Sequence, residues 1–331
     1  MVVVYFGTPQ FAVPTLQALL DSRHRVCGVV TQPDRPRGRG QKVSDAPVKA
    51  LAVARGVPMI QPDSLRDAAV ADTLTRWAPD IGVVAAYGQI IPEPLLRIPR
   101  FGMINVHASL LPKYRGAAPV HRAVIDGEPE TGVTIMRVER LLDSGATFAK
   151  VTRPITADET SERVERDLAD LGATLLLQVL DTIEAGTSRE EAQDHARATY
   201  ASKITRHEGA IDWTLPAISI HNRVRGLYPW PHAFTYLDQL RIIVLKTRVE
   251  NVVTTSAPGT IVAVSRDALH VATGGGGQLA IEELQPEGKR PMRVREYLAG
   301  RPVQPGARFS GPPETSTATA AGNGGPNVTS T

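Results

Sequence analysis

The sequence predicts an α/β fold: a Rossmann-like, mostly parallel sheet with helices on both faces, followed by a smaller β-barrel domain. Three observations predict it. Short apolar runs alternate with longer amphipathic ones through the first half, as in strands joined by covering helices. Those short runs are almost continuously apolar, which suits strands buried on both faces. Beyond residue 208 short β-rich runs follow one another between Gly and Pro, the spacing of a small barrel. With 331 residues the chain exceeds the usual size of one compact domain, so two units are expected.

In chain order, Val2 to Phe6 reads as the first strand, Phe11 to Asp21 as a helix, Arg25 to Thr31 as a strand and Ala46 to Arg55 as a helix. Val57 to Ile60, Ile81 to Ala86, Met103 to Val106 and Gly132 to Val138 supply further strands, and Asp67 to Trp77 a further helix. Thr160 to Ala185 predicts a long amphipathic helix, because Leu168, Leu171, Leu175, Leu176, Val179 and Ile183 recur near helical spacing. These elements make a catalytic domain of residues 1–189, and the polar stretch after it reads as a linker, 190–207. The runs Arg241 to Lys246, Gly259 to Val264, Leu269 to Ala272 and Gln278 to Leu284 fall in the second unit, 208–310. Residues 311–331 are Gly, Ser, Thr, Ala and Pro with almost no apolar bulk, and are expected to be a disordered tail.

Composition excludes several classes. The single cysteine, Cys27, lies in an apolar run, so neither a disulfide framework nor a thiolate metal cluster is expected. None of the eight histidines has zinc-ligand spacing with a partner Cys or His, and no metal is expected. No run approaches the ~20 apolar residues of a membrane span, and no basic leader opens the chain; a cytoplasmic protein is expected. The first strand-to-helix turn, Phe6-Gly7-Thr8-Pro9, has one glycine where a dinucleotide-binding turn needs three, which argues against a nicotinamide or flavin cofactor. Net charge is only +3, but the positive excess lies in the C-terminal third, where it would attract a polyanion.

Parallel sheets bind ligands at the carboxyl ends of their strands. There the sequence reads NVHASLLP: Asn105 and His107 alternate onto one face of a strand end, and Ser109, Leu110, Leu111 and Pro112 leave it as a loop whose backbone groups can meet a ligand. Farther on, Asp143 falls in a turn with Ser144 and Gly145 after another strand. An amide, an imidazole and a carboxylate gathered at one point suit acyl transfer to an amine. Asn105 would donate to the oxyanion, a contribution on the order of 10²–10³ in rate. His107 would exchange the amine proton or assist the oxyanion, and Asp143 would orient its ring. The loop from Thr31 to Lys42 sets Arg35, Arg37, Arg39 and Lys42 among Pro and Gly, a basic arm able to reach a phosphate backbone.

Asn105-x-His107, Ser109 to Pro112 and the later Asp143 resemble the signature of folate-dependent formyltransferases, which use 10-formyltetrahydrofolate. The acceptor is argued from the rest. TQPDRPRGRG, Pro47-Val48-Lys49, AAYGQIIP (85–92), RGAAP (115–119), ETGVTIM (130–136), IDW (211–213) and PWP (229–231) are similar to the methionyl-tRNA-formylating branch of that family, from Val4 to about Arg308. The resemblance implies an OB-like C-terminal domain with a basic face, initiator methionyl-tRNA as partner, and a monomer. It implies contact with the folate co-substrate at Tyr87, Gly88 and Ile90 as well as at Ser109 to Pro112, and contact of Arg39 with the end of the acceptor stem. The chain departs from the family at Ala108, usually glycine, and in the turn LLDSGA, where Leu141 and Ala146 differ while Asp143 is retained. An amino-sugar formyltransferase would share the three polar residues but has no use for the basic arm. A hydrolase releasing formate from the same folate and a non-catalytic RNA-binding relative are the other readings, and the second of these predicts loss of groups that are all present.

Overall fold

The computed structural model of the chain describes residues 1–34, 36–37, 42–43 and 45–311, with the side chains at 36–37 and 42–43 outside that description. The first half runs β1 (Val2–Gly7), α1 (Val13–Leu20), β2 (Arg25–Val30), β3 (Pro36–Arg37), β4 (Lys42–Val43), α2 (Pro47–Ala54), β5 (Met59–Ile60), α3 (Ala68–Trp77) and β6 (Ile81–Ala85). It continues through α4 (Glu93–Leu96), β7 (Met103–His107), β8 (Arg115–Gly116), α5 (Pro119–Asp126), β9 (Glu130–Arg137), β10 (Thr147–Pro154) and α6 (Ser161–Glu184). Seven strands form one sheet in the order β10-β9-β7-β6-β1-β2-β5. The five from β7 to β5 are parallel, and β9 and β10 are added antiparallel beside β7.

The sheet is buried on both faces, and the first strand shows how. Val3 and Tyr5 point into a core shared with Leu16 and Leu19 of α1, Val48 and Ala52 of α2, and Leu168, Leu176 and Leu180 of α6. Val4 and Phe6, the alternate positions, point into a second core with Val70 and Leu74 of α3. A period of two therefore meets apolar neighbours at every residue, which is why the strand sequence is unbroken VVVYF. Gly172 lets α6 lie close on the sheet, since a Cβ there would stand 2.7 Å from a methyl carbon of Val106.

The strand expected from Val57 contracts to Met59–Ile60, because the Val57 N–H is taken by Ala52 O at the end of α2. The strand expected to end at Val106 includes His107, which pairs with Thr134 of β9. Among the elements of this half without an expectation are β10, whose TFAKVTRP lacks a clean apolar alternation, and the short α5.

The second half contains β11 (Tyr200–Ala201), α7 (Ala217–Gly226), β12 (Ala233–Leu237), β13 (Leu240–Glu250), β14 (Ile261–Val264), β15 (Leu269–Ala272), β16 (Gln278–Pro286), β17 (Met292–Arg293) and α8 (Val294–Gly300). The antiparallel order is β12-β13-β16-β15-β14. Residues 306–310 bond to both edges, to Ile261 and Gly259 on one side and to Tyr236 on the other, which gives the sheet its barrel-like closure. Trp213 stacks on Phe309 with ring centroids 5.4 Å apart and donates its indole N–H to Thr235 Oγ1 at 3.0 Å, so the first tryptophan of the unit is core. β13 runs well past the expected Lys246, because Lys246, Arg248 and Glu250 belong to a sheet face that meets solvent.

The two units meet directly. Ala118, Ile125, Ile204 and Leu227 form one small apolar cluster, and Arg122 of α5 pairs with Glu208. Among the described residues no helix is long and apolar enough to cross a membrane. Arg35, Arg39 and the tail beyond Gly311 lie outside the described residues, as do the side chains of Arg37 and Lys42.

Candidate active site

Beyond the carboxyl ends of β6 and β7 lies a cavity of about 580 Å³ that is lined by Asn105, His107 and Asp143 together. The strand supplies the first two by register. Met103 of β7 is buried in the second core, and the next positions on that face, Asn105 and His107, run beyond the apolar layer to the cavity. Among the described residues the Asn105 amide makes no hydrogen bond, so its N–H groups are available to a ligand oxygen.

His107 is 5% exposed. Its Nε2 lies 2.9 Å from the carbonyl oxygen of Tyr114, an acceptor only, so Nε2 carries the hydrogen and donates it. The other nitrogen, Nδ1, is 3.7 Å from Asp143 Oδ2. A neutral ring thus has its lone pair on Nδ1, the nitrogen beside the carboxylate.

Asp143 arrives on the turn that follows β9, in the left-handed region with φ of 47°. For a residue with a side chain that conformation costs roughly 1–2 kcal/mol and persists only where neighbours over-determine it. The neighbours are Gly116, whose N–H donates to Asp143 Oδ2 at 2.9 Å, and Gln193, whose Nε2 donates to the carbonyls of Asp143 at 2.9 Å and Gly145 at 2.7 Å. Gly116 must be glycine: its φ is 118°, and a Cβ would stand 2.8 Å from Ala201 O.

Of the residues expected at the folate, Tyr87, Gly88 and Ile90 border the cavity. The Tyr87 ring itself turns into the second core, edge-on to Phe6, and burial pushes its hydroxyl up to about 12. Its carbonyl accepts from Gln32 Nε2. Ser109, Leu110, Leu111 and Pro112 follow directly on the cavity-lining Ala108 but are not themselves part of that lining. Thr134 of β9 donates to Ser109 O at 2.7 Å and accepts from Leu111 N–H at 3.1 Å, so those two backbone groups of the segment are committed. Ser109 Oγ in turn donates to Lys113 O. The segment is a brace that returns the chain to Tyr114 and Gly116.

Ala108 lines the cavity and has no positive φ, so the turn accepts the β-carbon where the family usually has glycine. The apolar rim is formed by Ile90, Leu141 and Leu142, which are 83%, 70% and 59% exposed. Large apolar side chains left in water around a cavity mark a ligand-covered surface. Leu141 and Leu142 were overlooked because in sequence they are only two apolar letters beside an acidic one. Phe11, His121 and Glu165 also line the cavity. Burial pushes the Glu165 carboxyl up against the opposing influence of His121, with Glu162 adding to the rise.

The described residues that flank the basic segment, Asp34 and Asp45, are tied to one another through Lys49, and the hydrogen bond from Lys49 holds the Asp34 carboxyl below the usual carboxylate range. Gln61 also donates to Asp34 and to Gln32 O, so both ends of the arm are clamped.

Comparison with known proteins places this geometry. The family model described as formyl transferase matches residues 1–180, and that for the formyl transferase C-terminal domain matches residues 203–302. The methionyl-tRNA formyltransferase of Geotalea daltonii is 44% identical over 309 residues, 93% of this chain and 98% of the relative. That of Alkaliphilus metalliredigens is 45% identical over 306 residues, 92% of this chain and 97% of the relative. Among solved structures, the N-formyltransferase of Helicobacter canadensis in complex with folinic acid and dTDP-3-aminofucose superposes with a TM-score of 0.64 at 17% identity, covering 85% of this chain and 98% of its own. That likeness shows the fold alone, whereas the sequence relatives span nearly the whole chain: the protein belongs to the methionyl-tRNA formyltransferase family.

Proposed function

We propose that the chain transfers the formyl group of 10-formyltetrahydrofolate to the free amino group of methionyl-initiator tRNA, a cytoplasmic step of translation initiation. The observation that carries this reading is the division of labour on His107: Nε2 is committed to the Tyr114 carbonyl, while Nδ1 stands beside Asp143 at a cavity that Asn105 also lines.

The cavity suits the folate. Its rim of Ile90, Leu141 and Leu142 gives apolar walls to a flat bicyclic ring, and its volume of about 580 Å³ is that of a small-molecule site. When bound there, the co-substrate supplies an electrophilic formyl carbon on its N10. Asn105 donates to the formyl oxygen as the attacking amine converts it to an oxyanion. His107 Nδ1 takes the proton that the amine loses, and Asp143 faces the positive charge the ring then carries. The same proton returns from His107 to N10 as the bond between the formyl carbon and N10 breaks. The products are the formamide of methionyl-tRNA and tetrahydrofolate. Arg35, Arg37, Arg39 and Lys42 serve the acceptor rather than the chemistry. Their arm springs from the Asp34–Lys49 clamp, close to the Tyr87 side of the cavity, where cationic side chains would meet phosphates.

The test is incubation of the protein with 10-formyltetrahydrofolate and charged initiator tRNA, followed by hydrolysis of the ester and identification of the amino acid. Formylmethionine is the expected product. Formylation of a nucleotide-linked amino sugar, or free formate, with methionine left unmodified would replace this reading by one of the other two.

A further inference from the structure

The segment expected to be a linker between the two units is stitched instead around the catalytic pair. Glu191 exchanges two backbone hydrogen bonds with Thr147, at 2.8 and 2.9 Å. Gln193, only 8% exposed, grips the carbonyls of Asp143 and Gly145. Thr199 accepts the Tyr114 N–H on its hydroxyl at 2.9 Å, and its carbonyl takes the N–H of Arg115 at 2.8 Å. Tyr200 and Ala201 then pair with Arg115 and Gly116 as β11 beside β8. Both groups that face the His107 ring, the Tyr114 carbonyl and the Asp143 carboxylate, are therefore held from behind by residues 191–201.

We infer that residues 191–201 are a strap that positions the His107–Asp143 pair, with Gln193 as its positioning residue. Gln193 is suited to the task. Arg115, 4% exposed, donates to Gln193 Oε1 from Nε at 3.2 Å and from Nη2 at 2.6 Å, and Nη2 also lies 3.1 Å from His195 Nδ1. A guanidinium on the amide oxygen polarises the amide, which strengthens the two N–H donations on its other side. Those donations fix the backbone from the left-handed Asp143 to Gly145, while the Gly116 N–H, itself set by β11, fixes the carboxylate. Strand register brings His107 to the cavity, but Asp143 has no ladder of its own and needs this second tether. Gln193 touches neither substrate, so it acts through Asp143.

This rests on the transfer reaction proposed above, and the experiment separates the two. In the full-length chain, Gln193→Ala removes both halves of the link, and Gln193→Glu keeps the acceptor for Arg115 while losing the two donors. Single-turnover formylation of methionyl-tRNA is expected to slow by roughly 10- to 100-fold in both, in line with small misplacements of catalytic groups, with KM for each substrate within about 3-fold of wild type. In an Asp143→Asn background the Gln193→Ala change should add less than about 3-fold, because the group it positions is already lost. Hydrogen exchange supplies a readout without catalysis: the Gly116 amide and the turn after β9 should exchange faster in both variants. Wild-type exchange at Gly116, or an equal loss of rate in the Asp143→Asn background, overturns the strap. A wild-type protein that formylates no methionyl-tRNA overturns the reaction, and the exchange result still decides the strap.

Discussion

Asn105 and His107 reach the cavity on a strand, whereas Asp143 reaches it on a turn, and the two are held by different means. The strand pair is fixed by the register of β7 between β6 and β9, which backbone bonds and two apolar cores enforce. The turn has no ladder of its own and adopts a left-handed backbone, so its carboxylate depends on donors from Gly116 and Gln193. A sheet makes the rigid half of a site from local sequence. The other half must be assembled from parts of the chain that lie far apart.

Four substitutions would break or sharpen that contrast. His107→Ala removes the proton acceptor itself and should lower the rate of transfer by about 10²–10⁴, leaving tRNA affinity within a small factor. Turnover near wild type would rule out the ring. Asp143→Asn keeps the shape of the turn but removes the charge that faces Nδ1, and a smaller loss of roughly 10- to 100-fold is expected, as for other partners that orient a histidine. A loss as large as that of His107→Ala would mean that the carboxylate reacts directly.

Thr134→Val probes the brace under the strand end. It deprives Ser109 O and Leu111 N–H of their buried partner and should destabilise the fold by about 1–3 kcal/mol in denaturant titration, since those groups are left unmatched. An unchanged midpoint would show that the brace is dispensable. The smallest effect is expected for Glu165→Gln in the cavity lining. Burial raises the Glu165 carboxyl above its ordinary 4.5 in the folded chain, so the native form is favoured while that carboxyl stays protonated and loses stability as pH rises through the raised value. Melting temperatures of variant and wild type should therefore coincide below pH 4.5 and diverge above it, the variant melting higher. Divergence in the opposite sense would remove the desolvation argument.

The membership of the chain was legible early, because strand runs such as VVVYF and the cluster NVHASLLP are contiguous and their periods are local properties. Polar and charged positions hid elements from the same reading: β10 places Lys150 and Arg153 on opposite faces of TFAKVTRP, and β13 continues through Lys246, Arg248 and Glu250. The bracing of Ser109 to Pro112 by Thr134 is hidden from the sequence for a related reason. Whether a loop's backbone is free depends on who bonds to it, and Thr134 stands 25 residues from Ser109. Gln193 lay in a polar stretch that composition alone describes as a connection.

The sequence by itself determined the sheet, its two-sided burial and the placing of Asn105 and His107 on one face of a strand end, since each is a matter of residue type and spacing along a single strand or helix. Tertiary structure alone decided which nitrogen of His107 is free, which loops line the cavity, and that residues 191–201 bond to the segments carrying Tyr114 and Asp143. Those outcomes depend on hydrogen bonds between segments distant in sequence, and such partners are chosen by the packed sheet rather than by any local preference of the chain.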